Sequence, residues 1–207
     1  MASIAPTYPV QATVDYPPTA RDRLSVGLRI FYVIPIGIVL TAISGGGLGP
    51  GRTSLAGGTG ILFLGSVLML VFRRRYPRWW LDWNYNLVCF STRVTSYLLL
   101  LRDEYPATED EQAVHIWFPD LQGGAAVNRW LPLVKWFLAI PHYVLLFFLY
   151  IAVLLVTIAR WFVILLTGRD PESLHAFVVG VIRWSIRVQA YAFVLVTDAY
   201  PPFRLAP

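Results

Sequence analysis

Long apolar stretches dominate the chain, and short arginine-rich or glycine-rich segments separate them. Residues 24–43 and 60–72 are apolar and flank a glycine-rich segment over residues 44–60. About 20 apolar residues span a bilayer, and a helix does not persist through such a glycine-rich segment. This pattern predicts a helical hairpin in the membrane. Arg21 and Arg23 precede it and an arginine cluster follows it, so the positive-inside rule predicts that both of its ends are cytoplasmic.

The C-terminal half of the chain repeats the pattern of the N-terminal half. The aligned pairs are, at one constant spacing, Arg23 and Arg129, Arg29 and Lys135, and Pro35 and Pro141, and, at a second spacing, Arg75 and Arg169, Pro77 and Pro171, Ser91 and Ser185, Arg93 and Arg187, Val94 and Val188, and Tyr97 and Tyr191. Self-similarity of this kind indicates an internal repeat. It predicts two tandem membrane units, residues 1–107 and 108–207, with residues 44–60 as an insertion in the first.

Residues 131–167 are apolar almost without interruption. A straight helix of this length would be about 55 Å long, whereas the hydrocarbon core of a bilayer is about 30 Å thick. Either the stretch folds back as a hairpin, or residues 129–140 lie along the interface and Pro141 begins one long tilted span, with Lys135 and Arg160 snorkelling at its ends. The hairpin is favoured because repeated units usually share a topology.

A third segment in each unit, residues 79–101 and 172–196, mixes apolar and polar residues. Arg183 and Arg187 are four positions apart and therefore share one face of a helix whose other faces are apolar. Such an amphipathic helix lies in the headgroup region or lines a protein interior, and the interfacial position is favoured. Each unit is thus expected to contain a membrane helical hairpin plus an amphipathic helix.

Four short segments have the pattern of strands. Residues 8–16 and 114–118 alternate between apolar and polar positions, as half-buried strands do. Residues 97–101 and 191–196 are β-prone and run towards Tyr-Pro pairs. We expect the four pieces to form a small cytoplasmic β-sheet, one strand pair per unit. The predicted fold class is therefore mostly α and integral to the membrane.

Composition narrows the class of protein. Of the 207 residues, 57% are hydrophobic and 14% are charged, whereas soluble domains carry about 25% charged residues. The chain is therefore predicted to be an integral membrane protein rather than a soluble enzyme. Its net charge of +5 comes mainly from arginines at the edges of apolar segments. Arginines at such positions interact with anionic lipid headgroups and set the orientation of the segments in the membrane. No nucleic-acid partner is expected.

One polar pattern, Ser-x-Arg-Val-x-x-x-Tyr, occurs in both units. An arginine at membrane depth is unfavourable unless it reaches a phosphate or a paired group. Two interpretations stay open: each arginine anchors its helix to headgroups or caps carbonyls of the neighbouring sheet, or the two arginines form a pseudo-symmetric anion or lipid-headgroup site. The candidate lipid-binding or anion-binding residues are Ser91, Arg93, Tyr97, Ser185, Arg187 and Tyr191.

Tryptophans lie at or near the predicted segment ends, where aromatic side chains mark the membrane interface. The alternatives are contact with another membrane protein or with a flat cofactor such as a quinone. The interface candidates are Trp79, Trp80, Trp83, Trp130, Trp136, Trp161 and Trp184.

The sequence contains no phosphate-binding loop, nucleophile elbow or recognisable catalytic set, so no catalytic residue is assigned. His115, His142 and His175 have no second ligand at helical spacing, so no metal site is predicted. No cofactor is predicted either. A membrane enzyme would need His142, His175 or Asp82 to converge.

The order of four segments carries a resemblance to a known family. They read YPVQATVDYP, RWLPLVKWFLAIPHYVLLFFL, WFVILLTGRDP and FVVGVIRWSIRVQAYAFVLVTDAYPPF. The chain resembles the multi-pass bacterial membrane proteins, common in actinobacteria, of domain-of-unknown-function family 4389, most strongly over residues 130–203. The first unit departs from the family through the glycine-rich insertion and the arginine-rich residues 73–80. The resemblance implies membrane location and tandem architecture, and it carries over no functional residues.

These features predict a non-catalytic accessory or scaffold subunit of a larger bacterial membrane protein complex. Its expected partners are the lipid bilayer and other integral membrane proteins. Both termini are expected on the cytoplasmic side of the inner membrane. The alternative is a membrane protein that binds or transports a lipid or small molecule, which requires ionisable residues facing a shared cavity. Arg93 and Arg187 are the candidates for that role.

Overall fold

The computed structural model describes residues 8–17, 21–43, 63–108 and 112–206. The predicted insertion at residues 44–60 lies outside these ranges. The elements, in chain order, are β1 (Gln11–Val14), α1 (Arg23–Ile43), α2 (Phe63–Arg73), α3 (Arg78–Leu98), β2 (Val114–Trp117), α4 (Pro132–Leu138), α5 (Ile140–Thr167) and α6 (Glu172–Val194). The last turns of α2 and α6 are wound as π-helix. The protein is mostly helical, as predicted.

Three helices, α1, α5 and α6, are long and apolar enough to cross a membrane. Two of them, α1 and α5, carry large apolar side chains on their exposed surface, including Ile30 and Phe31 on α1 and Phe147 and Phe148 on α5. Exposed apolar surface of this extent is unfavourable in water and favourable in lipid. These helices are therefore compatible with the predicted membrane protein.

The expected hairpin over residues 131–167 is not formed. Helices α4 and α5 follow one another through a local break at Ala139, whose carbonyl still accepts a hydrogen bond from the Tyr143 amide (3.1 Å). Pro141 lies in the first turn of α5, where its missing N–H removes no helical hydrogen bond. With 28 residues, α5 is about 42 Å long, enough to cross a core of about 30 Å at a tilt. The alternative of one long helix is the correct one.

Helix α6 is largely buried within the protein. It packs along α5 and also contacts β1. Tyr150 on α5 donates its hydroxyl to Ser185 Oγ (2.9 Å), and Arg183 Nε donates to the carbonyl of Ala12 in β1 (2.9 Å). Helix α6 therefore forms an interior layer between α5 and the strands. This agrees with the alternative prediction that the segment lines a protein interior, rather than with the favoured interfacial position.

Strands β1 and β2 form an antiparallel sheet in which Thr13 pairs with His115. Ala12 and Ile116 pair beside them, and both are buried against the helices. The sheet has two strands in the described part of the chain, rather than the four expected. Residues 97–101 and 191–196 are not strands, because they form or directly follow the last turns of α3 and α6.

Helices α3 and α6 end in the same way. Leu100 (φ 61°) and Leu195 (φ 64°) both adopt the left-handed backbone conformation. At the end of α3 the backbone turn is wider than in an α-helix, since the amide of Leu101 donates to the carbonyl five residues earlier, that of Ser96 (2.9 Å). The last carbonyls of a helix have no partner within it. The two helix ends therefore need donors from other parts of the chain.

Candidate functional site

A groove between α3, α5 and α6 has a volume of about 450 Å³, and we call it the interhelical groove. It is lined by Ser91, Thr92, Thr95 and Leu99 at α3, by Tyr150, Val153 and Leu154 on α5, and by Val181, Ile182, Ser185, Ile186 and Gln189 on α6. Cavities of about 300–1,000 Å³ are typical of small-molecule sites. The groove thus has room for a small amphipathic molecule or for part of a lipid.

The polar atoms of the interhelical groove are mainly hydrogen-bond acceptors. Ser185 Oγ donates to the carbonyl of Val181 (2.8 Å), and Thr95 Oγ1 donates to that of Ser91 (2.8 Å). These hydroxyls therefore have lone pairs left but no hydrogen to give. The side-chain amide of Gln189, which is partly buried, makes no hydrogen bond within the described ranges. No charged residue lines the groove, so its polar chemistry suits a neutral group.

The repeated Ser-x-Arg-Val-x-x-x-Tyr pattern places its serine, arginine and tyrosine side chains in three different kinds of surroundings. Ser91 and Ser185 line the interhelical groove from α3 and α6. Arg93 and Arg187 follow two positions later, and such residues lie about 200° apart around a helix. The arginines therefore lie on the side away from the groove, and the tyrosines lie at the helix ends. The six candidate residues are not brought together in one site.

Arg93 and Arg187 each bind the segment that follows their own helix. Arg93 Nη1 donates to the carbonyl of Ala107 (2.7 Å), and Arg187 Nη1 donates to that of Ala206 (3.0 Å). Arg187 is 1% exposed. Arg93 is partly exposed and lines a cavity of about 230 Å³ together with His115. Both arginines therefore act as caps for backbone carbonyls.

The C-terminal end of α3 is closed by arginines that precede it in the chain. The Arg29 guanidinium lies over the Tyr97 ring, 4.2 Å from its centroid, and donates to the Tyr97 carbonyl (3.0 Å). It also pairs with the Asp103 carboxylate at 2.5 Å. Arg21 Nη2 donates to the Leu100 carbonyl (2.6 Å). The orphan carbonyls of this helix end thus receive charged donors.

A lysine closes the end of α6 with the same kinds of partner that Arg29 has: a backbone carbonyl, a carboxylate and a tyrosine ring. Lys135 Nζ donates to the carbonyl of Thr197 (2.8 Å), pairs with Asp198 at 2.6 Å and lies 5.2 Å from the Tyr191 ring centroid. Burial lowers the pKa of Lys135, and the hydrogen bond and charge of Asp198 oppose this shift. The expected snorkelling of Lys135 is wrong, because the side chain is 0% exposed.

The most deeply buried ion pair joins α5 to the start of α6. Arg160 Nε donates to Asp170 Oδ1 (2.8 Å) and Arg160 Nη2 to Oδ2 (2.5 Å). His175 Nδ1 lies 3.0 Å from the same carboxylate. Arg160 also donates to the carbonyls of Leu99 (3.0 Å) and Leu100 (3.1 Å). Instead of snorkelling, Arg160 thus ties α5 to the end of α3.

Sequence reasoning missed the pairing of Arg160 with Asp170. The available signal was an arginine within an apolar run, which requires a partner when it is buried. Burial raises the pKa of Asp170, but hydrogen bonds from His175 and Arg160 and the charge of Arg160 outweigh this effect and hold the pKa below its ordinary value. The carboxylate is therefore ionised at neutral pH.

The predicted interface tryptophans fall into two groups. Trp79, Trp83, Trp130 and Trp136 are exposed, whereas Trp80 and Trp161 are partly buried and Trp184 is buried. Trp184 Nε1 donates to His142 Nδ1 (3.1 Å), and Trp80 Nε1 donates to Ser66 Oγ (2.9 Å). The second group therefore contributes to packing within the protein.

Among the described residues, no three His, Cys, Asp or Glu side chains form a group that could hold a metal ion. His142 stacks on Phe203, with ring centroids 4.0 Å apart, and accepts the hydrogen bond from Trp184. His175 belongs to the Asp170 ion pair. These two histidines thus have structural partners, and Asp82 lies elsewhere, on α3 near β2.

Comparison with known proteins gives one family match, which covers part of the chain. No curated protein and no solved structure matches the chain. The region that does match a family begins just before α4 and continues beyond α6, so it contains the Lys135 and Arg160 clusters. Residues 130–204 match the family described as Domain of unknown function (DUF4389), so this part of the chain is similar to that family.

Proposed function

We propose that the protein is a non-catalytic accessory or scaffold subunit of a larger bacterial membrane complex. One observation carries this proposal: α1 and α5 present apolar side chains to their surroundings along their length. Ile30 and Phe31 on α1 are 69% and 68% exposed, and Phe148 and Leu155 on α5 are 62% and 63% exposed. Such surfaces are suited to lipid and to partner helices, which pack on one another by close van der Waals contact.

The buried charges support a structural role. Arg29, Lys135 and Arg160 are each 2% exposed or less, and each binds both a carboxylate and a backbone carbonyl at a helix end. Removing a partner from a buried charge is unfavourable by several kcal/mol, about 3–5. These cations therefore hold helix ends together and are not available for proton transfer or substrate binding.

We also propose that the halves are tandem units related by an approximate two-fold axis. The register of the sheet supports this, because Thr13 and His115 are paired and each lies three residues before an aromatic-Pro pair. Arg29 over Tyr97 and Lys135 beside Tyr191 repeat one contact at equivalent positions. In this arrangement each unit contributes one strand, one long apolar region and one more polar helix.

The units exchange contacts across this axis. Arg160 from the second unit binds the carbonyls that end α3 of the first. In return, the Tyr76 hydroxyl from the first unit donates to the Val194 carbonyl at the end of α6 (2.8 Å). The proposed units are therefore interlocked. We place the protein in the bacterial cytoplasmic membrane with both termini cytoplasmic, on the basis of the arginines that flank its apolar helices.

Purification from the native membrane tests the scaffold role. The tagged full-length protein is extracted in a mild detergent, and co-migrating proteins are identified and quantified by mass spectrometry. We expect at least one larger integral membrane protein in a stoichiometric ratio. Polar substitutions on the exposed face of α5, Phe148→Ser with Leu155→Ser, should reduce its recovery at least fivefold. Recovery of the wild-type chain alone, or with itself only, would contradict the proposal.

A second candidate function is binding of a neutral amphipathic molecule in the interhelical groove. The observation that favours it is the unpaired side-chain amide of Gln189, which lines the groove together with the hydroxyl oxygens of Ser91 and Ser185, while the remaining walls are mainly apolar. An ester or quinone carbonyl would accept from the amide, and an apolar chain would follow the walls. Membrane-embedded sites of this kind bind ligands largely through apolar contact, with a few polar groups fixing orientation.

Replacing Gln189 with leucine should remove this ligand while preserving the volume of the side chain. We expect the amount of neutral lipid or quinone recovered per mole of purified protein to fall at least fivefold, as measured by mass spectrometry of an organic extract. Thr167→Val is the matched control, because its hydroxyl is exposed and lies outside the groove. Equal recovery from wild type and Gln189→Leu would rule out this second candidate.

A further inference from the structure

A second, more basic cavity lies where α2 ends and α3 begins, and its volume is about 710 Å³. We call it the basic cavity. It is lined by Met69, Arg73, Arg74, Arg75, Tyr76, Pro77, Trp79, Gln122, Gly123 and Ala125. No carboxylate is among these residues, and Arg78 lies exposed in the next turn. The cavity therefore carries a concentrated positive charge.

The arginines of the basic cavity have no partner of their own. Unlike Arg29, Arg160 and Arg187, the side chains of Arg73, Arg74, Arg75 and Arg78 make no hydrogen bond or ion pair with the residues that the structure describes, and all four are exposed. Like charges at this spacing repel one another. Their grouping thus disfavours the isolated chain and is relieved when an anion binds.

The second half of the chain lacks this cluster at the aligned positions. At the spacing that aligns Arg75 with Arg169, the residues corresponding to Arg73, Arg74 and Arg78 are Thr167, Gly168 and Glu172. Helices α2 and α5 both end on a left-handed residue, Arg74 (φ 51°) in one and Gly168 (φ 72°) in the other. Arginine is strained in this conformation and glycine is not. Arg74 thus holds a conformation that glycine adopts without strain at the equivalent position of the second unit.

The surroundings of the basic cavity are apolar on one side. Phe72 is 73% exposed at the end of the apolar helix α2, and Trp79 is 65% exposed at the start of α3. Exposed aromatic side chains beside arginines are typical of the boundary between hydrocarbon and headgroups. A ligand here meets cationic donors at one end and apolar surface at the other.

We propose that the basic cavity binds the phosphate of an anionic membrane lipid. Guanidinium groups bind phosphate oxygens through paired hydrogen bonds, and Arg73, Arg74 and Arg75 supply several such donors around one cavity. The acyl chains lie along Phe72 and α2. The inference uses the proposed membrane location but not the proposed partner complex, so a failure to find a partner leaves it unaffected.

Arg74→Gly is the decisive variant, because it removes a cationic side chain and relaxes the backbone. The full-length protein and the variant are placed in nanodiscs of phosphatidylcholine with or without 20% phosphatidylglycerol, a ratio of about one anionic lipid in five. Retained lipid is then counted by native mass spectrometry. We expect at least a fivefold loss of tightly bound phosphatidylglycerol in Arg74→Gly, with an unchanged or higher midpoint of thermal unfolding.

Arg169→Gln is the control, because Arg169 is exposed after α5 at the position that aligns with Arg75, one residue from that of Arg74. It should retain phosphatidylglycerol like the wild type. Adding inorganic phosphate or glycerol phosphate to phosphatidylcholine nanodiscs distinguishes a soluble phosphate ligand from a lipid. Protection from thermal unfolding by these soluble anions as strong as that by phosphatidylglycerol would overturn the lipid assignment. Equal lipid retention by Arg74→Gly and wild type would overturn the site.

Discussion

Replacing Arg160 with methionine is expected to lower the free energy of unfolding by about 3–5 kcal/mol. The substitution leaves the Asp170 carboxylate, whose side chain is 1% exposed, without its bidentate partner. It also removes the donors for the carbonyls of Leu99 and Leu100. Denaturant titration of the purified protein in detergent, followed by tryptophan fluorescence, measures the change. A loss below about 1 kcal/mol would show that water or His175 replaces the guanidinium.

The Asp170 carboxylate makes the same pair sensitive to acid. Its pKa in the folded protein lies below the ordinary value of 3.8, so the stabilisation is present above that pH and is lost as the pH falls through the folded-state pKa. The free energy of unfolding of the wild type should therefore decrease as the pH is lowered below about 4. Asp170→Asn should be less stable at pH 7 and should show a smaller decrease over this interval. Parallel pH profiles would contradict the assignment.

Replacing Lys135 with methionine is expected to lower the free energy of unfolding by about 3 kcal/mol, the lower end of the range for a broken buried pair. The lysine is 0% exposed, and its loss leaves Asp198 and the Thr197 carbonyl without their charged donor. Lys135→Arg is the matched control, since Arg29 occupies the equivalent position beside Tyr97. In the same titration, the loss of unfolding free energy in Lys135→Arg should be less than half of the loss in the methionine variant. Equal losses in both variants would indicate that packing volume, rather than the charge, is what matters at this position.

The apolar helices and the two alternating strands were predictable because both depend on local pattern. Long apolar runs predict α1 and α5, and alternation predicts β1 and β2. The hairpin in residues 131–167 was predicted wrongly because the second unit was expected to share the topology of the first. A proline in the first turn of a helix leaves it intact, and a tilted 28-residue helix fits the bilayer.

The partners of the buried charges were not predictable from the same pattern. Arg160 binds carbonyls of residues 99 and 100, which local periodicity does not connect to α5. The surroundings of each residue in the Ser-x-Arg-Val-x-x-x-Tyr pattern also depend on which element packs against each helix face. Its recurrence was visible in the sequence, whereas the separation of Ser91, Arg93 and Tyr97 into a groove, a carbonyl cap and a helix-end contact required the packed structure.

The exchange of contacts between the halves sets an order of events during synthesis. Strand β1 is translated about a hundred residues before its partner β2. Arg160, which binds the carbonyls at the end of α3, is translated about sixty residues after them. Until then the N-terminal half exposes an unpaired strand edge and an incompletely closed helix end. The ribosome-bound N-terminal half is therefore the stage most vulnerable to proteolysis and aggregation, and membrane insertion must tolerate it until the C-terminal half is complete.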